Sequence, residues 1–148
     1  MLLRRERAMT AVAIMLDVAF HAGRTEAVSA ADIAERLGQA RRGIEPVLQA
    51  LSRAGLLDSI RGPKGGYRLG RPPRDLRLAE IVSTALDEDA GVEQPAGRLQ
   101  AAVVQPLWTE MEALCRDHLA RLTIADLIKR AAAAGVKRPT VEPLNFVI

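Results

Sequence analysis

Three glycines, a proline and two cations crowd into RGPKGGY, Arg61 to Tyr67, between the short runs LLDSI and RLG. So many turn formers in seven residues leave the flanks little choice but to fold back on each other. Pro63 suits the second position of a turn, and Gly65 and Gly66 supply positive φ. The stretch therefore predicts a β-hairpin whose tip carries Arg61 and Lys64.

The chain before the hairpin reads as three helices. The first is expected from about Arg5 to His21, with Val12, Met15, Leu16, Ala19 and Phe20 at helical spacing and Gly23 as its left-handed cap. Ser29 is a good N-cap for AADIAERL, with Asp32 three residues on, and Gly38 ends this second, short helix. A third follows from about Arg42 to Ala54, its apolar stripe formed by Ile44, Val47, Leu48 and Leu51, with Gly55 as terminator. Pro46 is tolerated only near a helix start, so the N-terminus is placed close to Arg42. Helix, short helix, helix and hairpin, in that order, make a winged helix-turn-helix with the hairpin as wing.

Beyond the hairpin, RPPRDLRL reads as a linker and LAEIVSTAL as a short helix, while Asp87 to Gly97 has no apolar period and reads as a loop. A long helix is expected from Leu99 to Leu122. Val104, Leu107, Met111, Leu114, His118 and Leu122 stand close to heptad spacing on it, with Trp108 and Cys115 beside the stripe. Pro106 predicts either a kink or a start nearer Val104. LTIADLIKRAAAAG is a last helix, and the tail from Val136 is interrupted by proline. The fold class is thus mostly α with a small β-hairpin. Residues 1–74 form a winged helix-turn-helix DNA-binding domain, and residues 75–148 a helical dimerisation and sensing region.

Composition agrees with helices packed on helices. Of the 148 residues 49% are hydrophobic, 26% charged and 3% aromatic. Residues 1–74 carry 13 Lys and Arg against 7 Asp and Glu, a net of +6, whereas residues 75–148 carry 8 against 11, a net of −3. A basic half points to a polyanion partner, with solubility alone as the plainer reading. Arginines before an apolar run give the start a superficial likeness to a signal peptide. Asp17 and the helical periodicity argue instead for a buried first helix. No run reaches a membrane span, and the single cysteine suits a reducing cytoplasm.

The chemistry best supported is phosphate neutralisation with groove reading. Ala40, Arg41, Arg42 and Glu45 stand at the start of the third helix, where bases and phosphates meet a recognition helix. Arg61, Gly62, Lys64, Gly65, Gly66 and Tyr67 form a thin cationic wing suited to a minor groove. Arg4, Arg5 and Arg7 add cations from the first helix. Glu45 either accepts from a cytosine amino group or simply complements the helix dipole. Cys115 and His118, an i, i+3 pair, are a candidate sensor; a buried cysteine and an interface histidine are the commoner case. No nucleophile elbow, HExxH, P-loop or dinucleotide fingerprint is present, so no enzyme is expected.

MLDVAFHAG, VSAADIAERLG, IEPVLQALSRAGLL, RGPKGGYRLGRPP, LRLAEIV, LW and LTIADLI occur in an order that resembles the Rrf2 family of bacterial winged-helix regulators, which includes the iron–sulfur cluster regulator and the nitric-oxide-sensing repressor. The likeness covers roughly residues 7 to 130 and is most specific at the wing. It implies a homodimer on near-palindromic double-stranded promoter DNA, with the third helix in the major groove, the wing in the minor groove and the long helix as dimer interface. By the same resemblance, Ala40, Arg42, Glu45 and Arg61 read the DNA. Cluster-binding members carry three cysteines before the long helix, and Asp87 to Gln105 contains none. Thiolates hold such clusters, so neither a cluster nor another cofactor or metal is expected.

The chain therefore reads as a homodimeric, sequence-specific transcriptional repressor without an iron–sulfur cluster. The alternatives are a winged-helix module docking an acidic protein, or a thiol- or metal-responsive sensor using Cys115 and His118. A small-molecule or redox effector completes the expected partners.

Overall fold

The computed structural model describes residues 5–22, 26–87, 97–136 and 138–139. Gly23, Arg4, the greater part of the Asp87–Gly97 segment and nearly all of the tail beyond Val136 therefore lie outside the described residues.

Helix α1 (Arg5–His21) buries Ala11, Ile14, Met15 and Val18, spaced three, one and three residues apart along one face. Helix α2 (Ala30–Leu37) starts as its residues dictate, the Ser29 hydroxyl accepting from the Asp32 N–H at 3.1 Å, and ends on Gly38 at φ 64°.

Helix α3 (Arg41–Arg53) begins one residue before the expected Arg42 and ends one before Ala54. Pro46 consequently lies inside the helix, past its first turn. Its missing N–H would have met the Arg42 carbonyl. The Pro46 ring also crowds that carbonyl, and both residues lie on the exposed side of α3, where water is the available partner for the unpaired group. Ile44, Val47, Leu48 and Leu51 are all buried.

Strands β1 (Leu57–Ile60) and β2 (Gly66–Leu69) pair antiparallel in the register Leu57 with Leu69, Asp58 with Arg68, Ser59 with Tyr67 and Ile60 with Gly66. The positive φ values fall on Gly62, at 113°, and Gly66, at 152°, rather than on Gly65 and Gly66. Gly65 is required for space, since a Cβ there would run into the Ile60 carbonyl. Gly66 is required twice, for its φ and because a Cβ would strike the Val28 carbonyl. That close approach lets Val28 and Tyr67 exchange two backbone hydrogen bonds of 2.8 Å, stitching the loop before α2 to the hairpin.

A single 3₁₀ turn (Pro73–Asp75) leads into helix α4 (Leu78–Asp87). One π turn (Gln100–Val104) precedes helix α5 (Gln105–Ala120), so the α-helix starts beside Val104, the later of the two starts that Pro106 allowed. The wide turn accommodates the proline within the first turn of α5. The long helix stops at Ala120, two residues short of the expected Leu122. That residue sits in the turn before helix α6 (Ile124–Ala133) and packs against the core. Thr123 and Asp126 form a capping box at the start of α6.

The core draws on both halves of the chain. Ile14, Ile33, Leu48 and Leu57 meet Leu76, Ile81 and Ile124 in one buried cluster. Each such side chain contributes about 1.5–3 kcal/mol by leaving water, so helices α1 to α3 and the hairpin are held against α4 and α6 rather than beside them. The Leu78 N–H donates to the Leu122 carbonyl at 2.9 Å and the Ile124 N–H to the Leu76 carbonyl at 3.0 Å, closing the linker onto the turn before α6.

Candidate nucleic-acid interface

The N-terminus of α3 is open. Its N-cap, Ala40, has an extended backbone and no side chain to accept from the first-turn N–H groups. The positive end of the helix thus faces outward with donors unclaimed by a cap. Arg41 lies on the first turn with its Nε 3.0 Å from the Glu45 Oε1, the two side chains 63% and 45% exposed. A pair so exposed is worth well under about 1 kcal/mol and can be given up to another partner. Arg42 is exposed on the same turn.

Between α3 and the hairpin runs a polar cleft of about 340 Å³. The structure brings Arg41, Glu45, Gly62, Gly65, Gly66 and Tyr67 together along it. It adds Ser29, Gln49 and Ser59, which the reading of the sequence passed over. Gln49 had a signal, for it stands four residues after Glu45 and eight after Arg41 and so shares their helix face. Ser29 and Ser59 had none, since only the tertiary fold sets the loop before α2 and the β1 strand beside the helix. Arg61 and Lys64 are exposed at the tip of the wing, beyond the residues that line the cleft.

The N-terminal arginines separate. Gln39 donates its Nε2 to the Thr10 hydroxyl at 3.2 Å, which sets the N-terminal half of α1 against the turn before α3. Arg7, one turn before Thr10, is half-buried. Arg5 instead borders an apolar groove on the opposite side of α1.

That groove, about 760 Å³, runs between α1, α4, α5 and α6, and its walls include Met9, Val12, Leu16, Leu114, Cys115 and His118. Along α5 and the π turn a row of large apolar side chains stands in the open: Val104 at 47%, Leu107 at 51%, Trp108 at 38% and Leu114 at 68% exposure. Met111 is half-buried, His118 is exposed, and Leu122 has left the row for the core.

A three-helix unit with its third helix open at the N-terminus beside a glycine-shaped hairpin defines a winged helix-turn-helix protein of the transcription-regulator class. The profile of the Rrf2 family, described as an iron-dependent transcriptional regulator, matches residues 5–130. The chain belongs to the Rrf2 family. It is 34% identical over 124 residues to the HTH-type transcriptional regulator IscR of Vibrio atlanticus (strain LGP32), covering 80% of this chain and 70% of that protein. The IscR of Vibrio campbellii (strain ATCC BAA-1116) is 36% identical over 124 residues, covering 80% and 73%. Among solved structures, T. potens IscR superposes with a TM-score of 0.68 at 30% identity, over 86% of this chain and 87% of that one. CymR, the global cysteine regulator of B. subtilis, superposes with a TM-score of 0.66 at 26% identity, over 84% and 94%.

The family description raises the question of iron. The sequence holds one cysteine, Cys115, exposed on α5, and among the described residues no group of three or more His, Cys, Asp or Glu side chains is placed to hold a metal ion. This donor set does not fit a cluster carried on thiolates from one chain. Among the described residues no helix is long and apolar enough to cross a membrane.

Proposed function

We propose that the protein is a homodimeric, sequence-specific DNA-binding transcriptional regulator that acts as a repressor in the bacterial cytoplasm without an iron–sulfur cluster. Residues 1–74 read DNA, and residues 75–148 dimerise and sense. The observation that carries the reading is the cleft that sets Arg41, Glu45 and Gln49 of α3 opposite the wing. In a duplex, α3 enters the major groove with Ala40, Arg41 and Arg42 at its leading end, and Arg61 and Lys64 meet the minor groove or its phosphates. Glu45 releases Arg41 on binding and accepts from a base amino group, trading affinity for selectivity. Arg7 lies near the phosphate backbone. Arg5, on the groove side of α1, has the weaker case.

Dimerisation is supported by the exposed row on α5 together with the adjacent apolar groove. The same surface on a second copy covers both by two-fold symmetry. Val104, Leu107, Trp108, Met111, Leu114 and His118 are the interface residues of this reading, and Leu122 contributes from beneath. Cys115 faces the same groove, so a thiol-responsive signal would act through dimer packing. In that case Cys115→Ser abolishes the response and leaves the dimer intact.

The test is an operator-bearing duplex isolated by selection from random sequence. Specific binding that weakens steeply with salt and drops with Arg61→Ala supports the reading. Binding indifferent to both overturns it in favour of an acidic protein partner.

A further inference from the structure

The hairpin has a second face. Side chains alternate along a strand, so Ser59 and Tyr67 turn toward the cleft with α3, and Asp58 and Arg68, one residue along each strand, turn the other way. On that other side lies a separate cleft of about 960 Å³, between the hairpin, the linker and the C-terminal end of α1. Four arginines line it from three stretches of chain: Arg68 on β2, Arg71 and Arg74 in the linker, and Arg138 from beyond α6. Asp58 is the one carboxylate in the lining among the described residues.

The arrangement is organised. Arg68 faces Asp58 across the register at 3.6 Å, and Arg71 is fixed by a 2.7 Å hydrogen bond from its Nη2 to the Glu80 Oε1. The Arg138 guanidinium lies 6.0 Å from the centre of the Phe20 ring, a cation–π distance. Pro72 is extended and Pro73 opens the 3₁₀ turn, so the two fix the wall between Arg71 and Arg74, and Ala19 on α1 with Ala22 just past its end leave the floor unfilled. Guanidinium groups stay protonated at every physiological pH. Arg68 and Arg71 are each paired with one carboxylate, Asp58 and Glu80, so the surplus charge of the concavity lies with Arg74 and Arg138, and a multivalent oxyanion offsets it while matching their forked donors.

We propose that this cleft binds a small multivalent oxyanion, a metabolite bearing two or more phosphoryl or carboxylate charges, and that its occupancy bears on the wing from the face opposite the α3 cleft. The cleft's volume is that of a small-molecule site. A DNA backbone is the poorer occupant, because a duplex reaching α3 and the wing tip meets the Ser59 and Tyr67 face of the hairpin, and Arg71 and Arg74 lie at the far end of the strand from the tip.

The test is isothermal titration of the full chain with inorganic pyrophosphate and, separately, citrate, in about 150 mM chloride to screen loose attraction. Saturable binding of one anion per chain is expected with at least one of them, and which one binds distinguishes a phosphoryl from a carboxylate ligand. The Arg74→Ala/Arg138→Ala double variant weakens it about tenfold or more, and Arg61→Ala at the wing tip leaves it unchanged. Both altered residues are exposed, and the variant's thermal unfolding shows that the fold is kept. No saturable heat with either probe overturns the proposal, as does equal binding by the double variant. Loss of duplex affinity in the double variant without any anion binding also overturns it, and makes the cleft a phosphate-backbone contact instead.

Discussion

Arg36 grips Asp17 at two points, Nε to Oδ1 and Nη2 to Oδ2, both at 2.9 Å, and so ties α2 to the last turns of α1. The Asp17 side chain is only 7% exposed, and His21 stands 3.7 Å from the same carboxylate. The hydrogen bond to Asp17, more than the surrounding charge, raises the Arg36 pKa above the ordinary arginine value. Arg36→Ala leaves a buried carboxylate without its fork and is expected to destabilise the protein by about 2 kcal/mol in urea unfolding. Because the two groups act as a unit, adding Asp17→Asn to that variant costs less than the sum of the single changes.

The wing separates space from strain. Gly66→Ala forces a Cβ into the Val28 carbonyl at a φ that L-residues avoid, so the Val28–Tyr67 bridge must open. Gly62→Ala meets open space and bears the backbone strain alone. The first is expected to cost about 2–4 kcal/mol and the second about 1 kcal/mol. Amide hydrogen exchange at Tyr67, whose N–H donates to the Val28 carbonyl, should accelerate far more in the Gly66 variant.

The start of α6 is pH-sensitive in a known direction. Hydrogen bonds from the Thr123 backbone and then its side chain hold the Asp126 carboxyl below the ordinary carboxylate value. The folded state therefore binds this proton less readily than the unfolded chain. The contribution is present above the unfolded carboxylate value and disappears as acid titrates the folded group. Asp126→Asn is expected to flatten the fall in stability below about pH 4, read from urea midpoints at stepped pH. Equal acid sensitivity in variant and parent would count against the capping box as its source.

Leu107→Glu with Leu114→Glu places two charges on the exposed row of α5. If a second copy covers that row, sedimentation equilibrium shows a monomer at concentrations where the parent is a dimer. The isolated chain's own fold should lose little, since neither side chain belongs to the buried core.

Arg61→Ala removes an exposed cation from the wing tip. Duplex binding is expected to fall about tenfold, and the slope of log affinity against log salt to shrink by about one. An unchanged slope with the same loss would place Arg61 on a base edge instead of a phosphate.

Local chemistry governed what could be read from the residues alone. The Ser29 hydroxyl caps α2 and Gly38 closes it, because a cap depends on three or four neighbouring residues. The stripe Ile44, Val47, Leu48 and Leu51 is buried because helical spacing puts it on one face whatever lies opposite. The hairpin follows from its turn residues. Two prolines set local rules against each other. Pro46 pointed to a later start for α3, but an exposed position let water supply what the proline lacks, and Pro106 was absorbed by a π turn that no single residue announces.

The distant juxtapositions needed the fold. Gln49, Ser29 and Ser59 share a cleft with Arg41, Arg5 turns to an apolar groove, Leu122 leaves the long helix for the core, and Arg138 meets Arg68 behind the wing. The main helices, the hairpin, the caps at Ser29 and Gly38 and the winged order were legible in the residues, since those rest on interactions within a turn or two of helix. Tertiary structure alone decided which charged side chains face one another, because that depends on packing of surfaces far apart along the chain.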